Sequence, residues 1–364
     1  MEAAARVAVK TLPILLCLCM TIAVAWGALP DEVEDAVPPD AQELLEELDT
    51  GDPAAMQRGV GALWQKIRAF LPELCRESTR NAATVLGTAF LCALVTNAVP
   101  EESGQIRSCV SATGILAVTV LSTRELESVM AMGAQMMEEL DIFSKALLPA
   151  LTAAVAAGGG IISAGLRQTA MIFFSNLLIG LVTTILLPLN NYYVALCAIS
   201  ALLPEQKLSG LAAGMKKGIT WVLTGSLLLF TGYLTVSGAA ATSADALTVQ
   251  LTKNAISTAV PVVGGIISDA AGSVLYSAGL LKNTLGVAGM LAILATVLFP
   301  FIRLAIQYLL YKLVGFLSGL LGNDAISDYI SCLGSAFGLL LGMTGSCAVL
   351  LLICVASCVS VVVL

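Results

Sequence analysis

The sequence of 364 residues contains no histidine. That absence excludes Ser–His–Asp triads, HExxH zinc sites and histidine proton relays. Charge is scarce: Asp, Glu, Lys and Arg make up 12% of the chain, whereas an ordinary soluble domain carries about 25%. No Gly-x4-Gly-Lys-Ser/Thr run occurs, so the chain has no P-loop and is not its own ATPase. The ten cysteines contain no CxxC pair. Gly322-Asn323-Asp324 lacks the order of a GxGD aspartyl motif. No basic face for nucleic acid is evident, and the period-2 alternation of a membrane β-barrel is missing.

What the chain does have is apolar residues, 58% of the total. By direct count, residues 146–364 hold 13 charged side chains. The hydrophobic runs between them reach the roughly 18 residues or more that a membrane helix needs. The reading is an all-α, polytopic helical membrane protein. The net charge of −7 is local in origin, because residues 31–52 contain ten carboxylates and no Lys or Arg. In the last segment Cys332, Cys347, Cys354 and Cys358 read as small packing residues.

Residues 1–28 have the form of a secretory signal. Arg6 and Lys10 make the charged start, Leu12–Trp26 the apolar core, and Ala23-Val24-Ala25 a cleavage site. An uncleaved anchor is the alternative. Residues 29–79 then form an extracytoplasmic region. An acidic, mobile or loosely helical arm comes first, followed by an amphipathic helix with Met56, Val60, Leu63, Ile67, Phe70 and Leu74 on one stripe. Residues 80–145 hold a transmembrane hairpin turning at Glu101-Glu102 and an amphipathic connector over 124–145. In that connector Leu126, Met130, Met137, Leu140 and Phe143 oppose a polar side of Glu125, Glu127, Glu138, Glu139 and Asp141.

The remainder reads as a duplication, with one membrane repeat over 146–258 and a second over 259–364. Pro149 and Pro261 are 112 residues apart, as are Pro188 and Pro300. Ser163–Leu166 and Ser277–Leu280 share the sequence SAGL at an offset of 114. In the first copy the elements are 146–165, 169–188, 191–204 and 219–241; in the second they are 260–281, 284–301, 304–321 and 332–364. Lys207, Lys216 and Lys217 follow the third element of copy one, whereas Asp324 and Asp328 follow that of copy two. By the positive-inside rule this contrast favours inverted copies, although the number of crossings does not then close with a full hairpin at 80–122. Pro261, Gly264 and Gly265 mark a broken or re-entrant element at the head of copy two.

Asp269 is the one acidic group in that element of either copy. It either caps a half-helix or sits in the interface, or it serves a pathway or an inter-subunit contact. Lys282 lies too far along a helix to pair with it, but a hairpin brings the two together. Arg303 and Lys312, nine residues apart, are read as lying near one helical face and snorkelling. Gly334, Gly338 and Gly342 form a small-residue ridge for close helix approach, within the chain or between copies of it. No catalytic, cofactor-binding or metal-binding residue is assigned.

Three stretches carry a resemblance. KALLPALTAAVAAGGG (Lys145–Gly160), PVVGGIISDAAGSVLYSAGLLKNTLGVAG (Pro261–Gly289) and LLYKL (Leu309–Leu313), in that order behind a signal and an acidic arm, resemble the stage III sporulation protein AE family. The resemblance implies a non-enzymatic, multi-pass subunit of the channel-like complex between mother cell and forespore, in the mother-cell membrane around the forespore. It implies a need for this subunit in late forespore gene expression. Its partners would be the other stage III sporulation A operon proteins, including the ATPase-like AA protein, together with the forespore Q protein and membrane lipid. No cofactor is implied. An autonomous secondary transporter with an inverted-repeat core and a scaffold for extracytoplasmic ring proteins are the alternatives.

Overall fold

The computed structural model describes residues 30–46, 54–100, 103–157, 161–203, 208–259 and 264–359, and of these not the side chains of 40, 161–164, 166–167, 237–259 and 264–278. The signal segment and Pro261 lie outside the described residues. The described chain contains helices and no strand. The helices are α1 (Asp31–Glu34), α2 (Pro39–Glu46), α3 (Ala55–Ala98), α4 (Gly104–Ala157), α5 (Ile161–Leu181), α6 (Leu187–Leu202), α7 (Leu208–Ala259), α8 (Gly264–Leu320) and α9 (Asp324–Val359). A π-helical turn, Val182–Leu186, joins α5 to α6 without a break.

Among the described residues, six helical segments are long and apolar enough to cross a membrane. The chain is a multi-pass helical membrane protein. The helices exceed what a bilayer needs. At 57 residues α8 extends about 85 Å, against a hydrocarbon core of about 30 Å. Prolines are absorbed rather than used as breaks. Pro72, Pro149 and Pro300 lie inside α3, α4 and α8. Pro188 follows the π turn, which rearranges the ladder where the missing N–H falls.

α9 forms the centre. Leu333, Phe337, Leu340, Met343, Cys347, Leu351, Cys354 and Cys358 recur at steps of three and four and are all buried. An apolar belt of exposed side chains includes Phe90, Leu91, Leu94 and Val95 on α3, Leu116 and Val120 on α4, Tyr192 and Ile199 on α6, Leu211 and Trp221 on α7, and Leu309, Leu313 and Phe316 on α8; exposed apolar side chains also occur further along, at Val60, Trp64 and Phe70 on α3, Phe173 on α5, and Leu228, Leu229 and Val236 on α7. In water such a surface is a liability; against acyl chains it is the expected exterior.

Several sequence expectations change here. The segment 124–145 is no separate connector, because α4 runs unbroken from Gly104 to Ala157. The acidic arm is docked rather than loose. Val33, Val37, Ala41 and Leu44, spaced by four, four and three, are buried in the core, while Asp31, Glu32, Glu34, Asp35, Glu43 and Glu46 are exposed. Glu43 also pairs with Lys66 of α3 at 2.5 Å, and that ammonium holds the Glu43 carboxyl below its usual range. The head of copy two is neither broken nor re-entrant over its described part: from Gly264 the backbone is helical through Leu320. Gly264 and Gly265 open the helix, and the three glycines of copy one lie outside the described residues.

The contacts of α7 and α9 do not fit an inverted arrangement. Lys216 of α7 contacts Ser335 of α9. Further along both helices, Leu223 lies against Gly342. Both pairs have an offset of 119 residues, so α7 and α9 run parallel. These helices hold the last element expected for each copy, and a parallel pair there does not fit copies of opposite direction. The charge contrast misled because Lys216 and Lys217 are not connector residues. They sit more than two turns inside α7, where Lys216 meets Ser335 of α9.

Candidate functional site

Most polar side chains of α3 and α4 face outward, but one group turns in. Glu125 of α4 is 8% exposed. A carboxylate at such a place needs donors to offset its lost hydration. Asn81 of α3 donates its Nδ2–H to Glu125 Oε2 at 2.7 Å. Gln307 of α8 donates Nε2–H to Glu125 Oε1 and to Ser78 Oγ at 3.2 Å. One turn on, the Tyr311 hydroxyl donates to Ser122 Oγ at 3.1 Å. One turn back, Arg303 lies 3.9 Å from Glu77.

Arg303, Gln307 and Tyr311 are spaced i, i+4, i+8 on α8, so they stack on one face. That face meets α3 and α4, whose partners follow the same helical spacing: Glu77, Ser78 and Asn81 on α3, Ser122 and Glu125 on α4. Thr119, three residues before Ser122, extends the row by donating to the Tyr329 hydroxyl of α9 at 2.8 Å. The result is a buried polar ladder tying four helices together. Its outer end is the partly exposed Arg303–Glu77 pair, worth about 0–1 kcal/mol. Its inner end is closed by Tyr311, whose ring packs on Phe337 of α9 at 4.9 Å. The Gln307 Oε1 atom is buried and makes no hydrogen bond.

Beside the outer end, α2, α3, α4 and α8 enclose a cavity of about 690 Å³. Phe70, Met136 and Phe299 give it an apolar wall, and Lys66, Glu43 and Glu139 a charged one. Phe70 and Phe299 meet edge to face at 6.2 Å. Among the described residues no group of three or more Cys, Asp or Glu is placed to hold a metal ion.

The residues singled out from sequence fall at different places. Arg303 joins the ladder. Lys312 does not share its face, because nine residues at 100° each amount to half a turn beyond two full ones; Lys312 points towards α7 and α9 instead. Lys282 is 5% exposed on α8, near Cys358 of α9. Asp269 lies on the same unbroken helix, so about 20 Å of helical rise separates it from Lys282 and no hairpin unites them; its side chain is outside the described set. Gly334 faces the backbone of Lys312 and Cβ of Tyr311, and Gly338 faces the ring of Tyr308. Gly342 has room, with Leu223 at 3.8 Å from a Cβ built there.

Spacing places Glu125 on the polar side of its helix, whereas the structure buries it; Gln307, Asn81 and Ser78 carry no sequence expectation. Glu125 hides among carboxylates that do face out. The signal available was Arg303-x3-Gln307-x3-Tyr311, a polar stripe in an otherwise apolar helix.

A family model described as Stage III sporulation protein AE matches residues 40–362, which includes all six long helical segments. Among curated proteins the chain is similar to the Stage III sporulation protein AE of Bacillus subtilis (strain 168). The two are 30% identical over 191 residues, 52% of this chain and 47% of that protein. The chain thus matches about half the length of that relative. No solved structure matches.

Proposed function

This chain belongs to the stage III sporulation protein AE family, and from that premise we propose that it is a non-enzymatic membrane subunit of the complex joining mother cell and forespore during sporulation. It sits in the mother-cell membrane around the forespore. The apolar belt spans that membrane, and the turns between α3 and α4, α6 and α7, and α8 and α9 face the mother-cell cytoplasm. The charged halves of α3 and α4, with the docked acidic arm, project into the intermembrane space. There they offer carboxylates and arginines to the complex's extracytoplasmic partners. Energy comes from the operon's ATPase-like AA protein, and the forespore Q protein meets the complex from the other side.

The observation that carries this reading is the split character of α3 and α4. Near their shared turn both are apolar outside; further along, charged residues lie over 58–80 of α3, among the exposed Val60, Trp64 and Phe70, and over 124–145 of α4, as a subunit needs that is anchored in lipid and assembled in water. With this orientation six crossings return the C-terminus to the side of the arm, so the parity problem of the inverted arrangement disappears.

A second reading, an autonomous secondary transporter, draws on the ionisable Glu125 held inside the bundle. Reconstitution separates the two. Purified full-length protein in sealed vesicles is expected to give no solute or ion flux above protein-free vesicles, and flux is expected only when the other complex members are present. Substrate-dependent flux by the lone chain would remove the subunit reading.

A further inference from the structure

The second cluster of polar groups lies on the far face of α8 from the ladder. Lys312 donates to Ser335 Oγ at 2.9 Å, to Ser331 Oγ at 3.1 Å and to the Ser331 carbonyl oxygen at 2.9 Å. Lys216 of α7 reaches the same Ser335 Oγ at 3.2 Å. Two ammonium groups therefore share one hydroxyl oxygen and lie no more than about 6 Å apart. Among the described residues neither forms an ion pair. Asp328, one turn before Ser331 and Cys332, is exposed and outside ion-pairing distance of both.

The cluster is built rather than incidental. Gly334 allows it, because a Cβ there would stand 3.2 Å from the Lys312 backbone nitrogen. Only a glycine lets α9 approach closely enough for Lys312 to reach over both serines. Lys312 spends its three N–H donors on Ser331 and Ser335. Lys216 spends one and is exposed, so two remain. Ser331 is half-buried, and its hydroxyl accepts from Lys312 with its own proton unspent. Two Lys216 N–H groups and the Ser331 hydroxyl proton are left over beside two positive charges.

The position selects the ligand. By helical rise, Lys216, Lys312 and Ser331 lie about 10–12 Å from the ends of their helices at the α6–α7 and α8–α9 turns. Leu309, Leu313 and Phe316 flank Lys312 on the exposed surface of α8. A ligand here meets donors for an anion above and an apolar wall below. We propose that Lys216, Lys312 and Ser331 form a binding site for the phosphate of an anionic phospholipid, whose acyl chain lies along α8. An anionic headgroup supplies the charge that two neighbouring lysines lack, and it would pin α7, α8 and α9 to one leaflet.

The test is native mass spectrometry of the full-length protein, offered phosphatidylglycerol and phosphatidylcholine vesicles in equal amounts. Wild type is expected to retain phosphatidylglycerol preferentially. Lys216→Gln is expected to lower that preference about fivefold, the size of one lysine's contribution. Lys216→Arg keeps it, and Lys217→Gln, one residue away but outside the cluster, changes it by less than about twofold. Lys216 is exposed, so the variant has no core to disturb. Equal retention of both lipids by wild type, or equal effects of Lys216→Gln and Lys217→Gln, would overturn the site. Displacement of phosphatidylglycerol by millimolar inorganic phosphate would overturn the lipid as the source and leave a soluble phosphate in its place.

Discussion

Gln307→Leu is expected to destabilise the protein by about 2–3 kcal/mol, read as unfolding of the purified protein in detergent. The leucine fits the volume, so the loss is polar. Gln307 is one of two amide donors to a carboxylate that is 8% exposed. Hydrogen bonds to charged groups contribute about 1.5–3 kcal/mol, and a buried acceptor left unmade costs its desolvation. The sign of the coupling is the sharper part. Adding Glu125→Gln to Gln307→Leu is expected to recover about 1 kcal/mol, because the orphaned group is then neutral. Additive losses from the two changes would mean that Glu125 does not depend on Gln307, and the ladder would be a coincidence of packing.

Gly338→Leu is expected to cost about 3 kcal/mol or more, and to lower membrane abundance accordingly. A Cβ at Gly338 would stand 2.9 Å from two carbons of the Tyr308 ring. The half-buried Tyr308 ring must shift to admit any side chain there, and overpacking of this kind costs about 1–3 kcal/mol even for single methylenes. Gly342→Ala is the contrast. Its nearest neighbour is a flexible Leu223 methyl at 3.8 Å, an ordinary contact, and the alanine gains up to about 1 kcal/mol of helix propensity. The ridge Gly334-x3-Gly338-x3-Gly342 is thus strict at its first two positions and permissive at the third. If Gly342→Ala proved the more damaging change, the packing of α9 against α8 would be wrong.

Membrane class and helix content were legible because hydropathy along a chain reports burial in lipid directly. Burial inside a bundle reports itself less openly. Glu125 sits between Arg124 and Leu126 in a stretch of outward-facing acids, and sequence spacing alone did not reveal that its own side chain turns in. The docked arm was hidden in the same way, its four apolar residues outnumbered by carboxylates. Orientation of the repeats failed for another reason. Lys216 and Lys217 carry the positive charge that seemed to mark a connector. They lie instead inside α7, where Lys216 serves a contact with α9. Prolines misled in turn: Pro300 lies within α8, and the π turn before Pro188 keeps α5 and α6 continuous, so two apparent helix pairs are single crossings.

The subunit reading and the inverted-repeat transporter differ most plainly in the direction of their hairpins. Reporter fusions after residues 206 and 322, with a third after 160, measure it in cells. Parallel hairpins predict that fusions at 206 and 322 report the cytoplasmic side and the fusion at 160 the opposite one. Fusions at 206 and 322 on opposite sides of the membrane would contradict the parallel bundle and restore the inverted one.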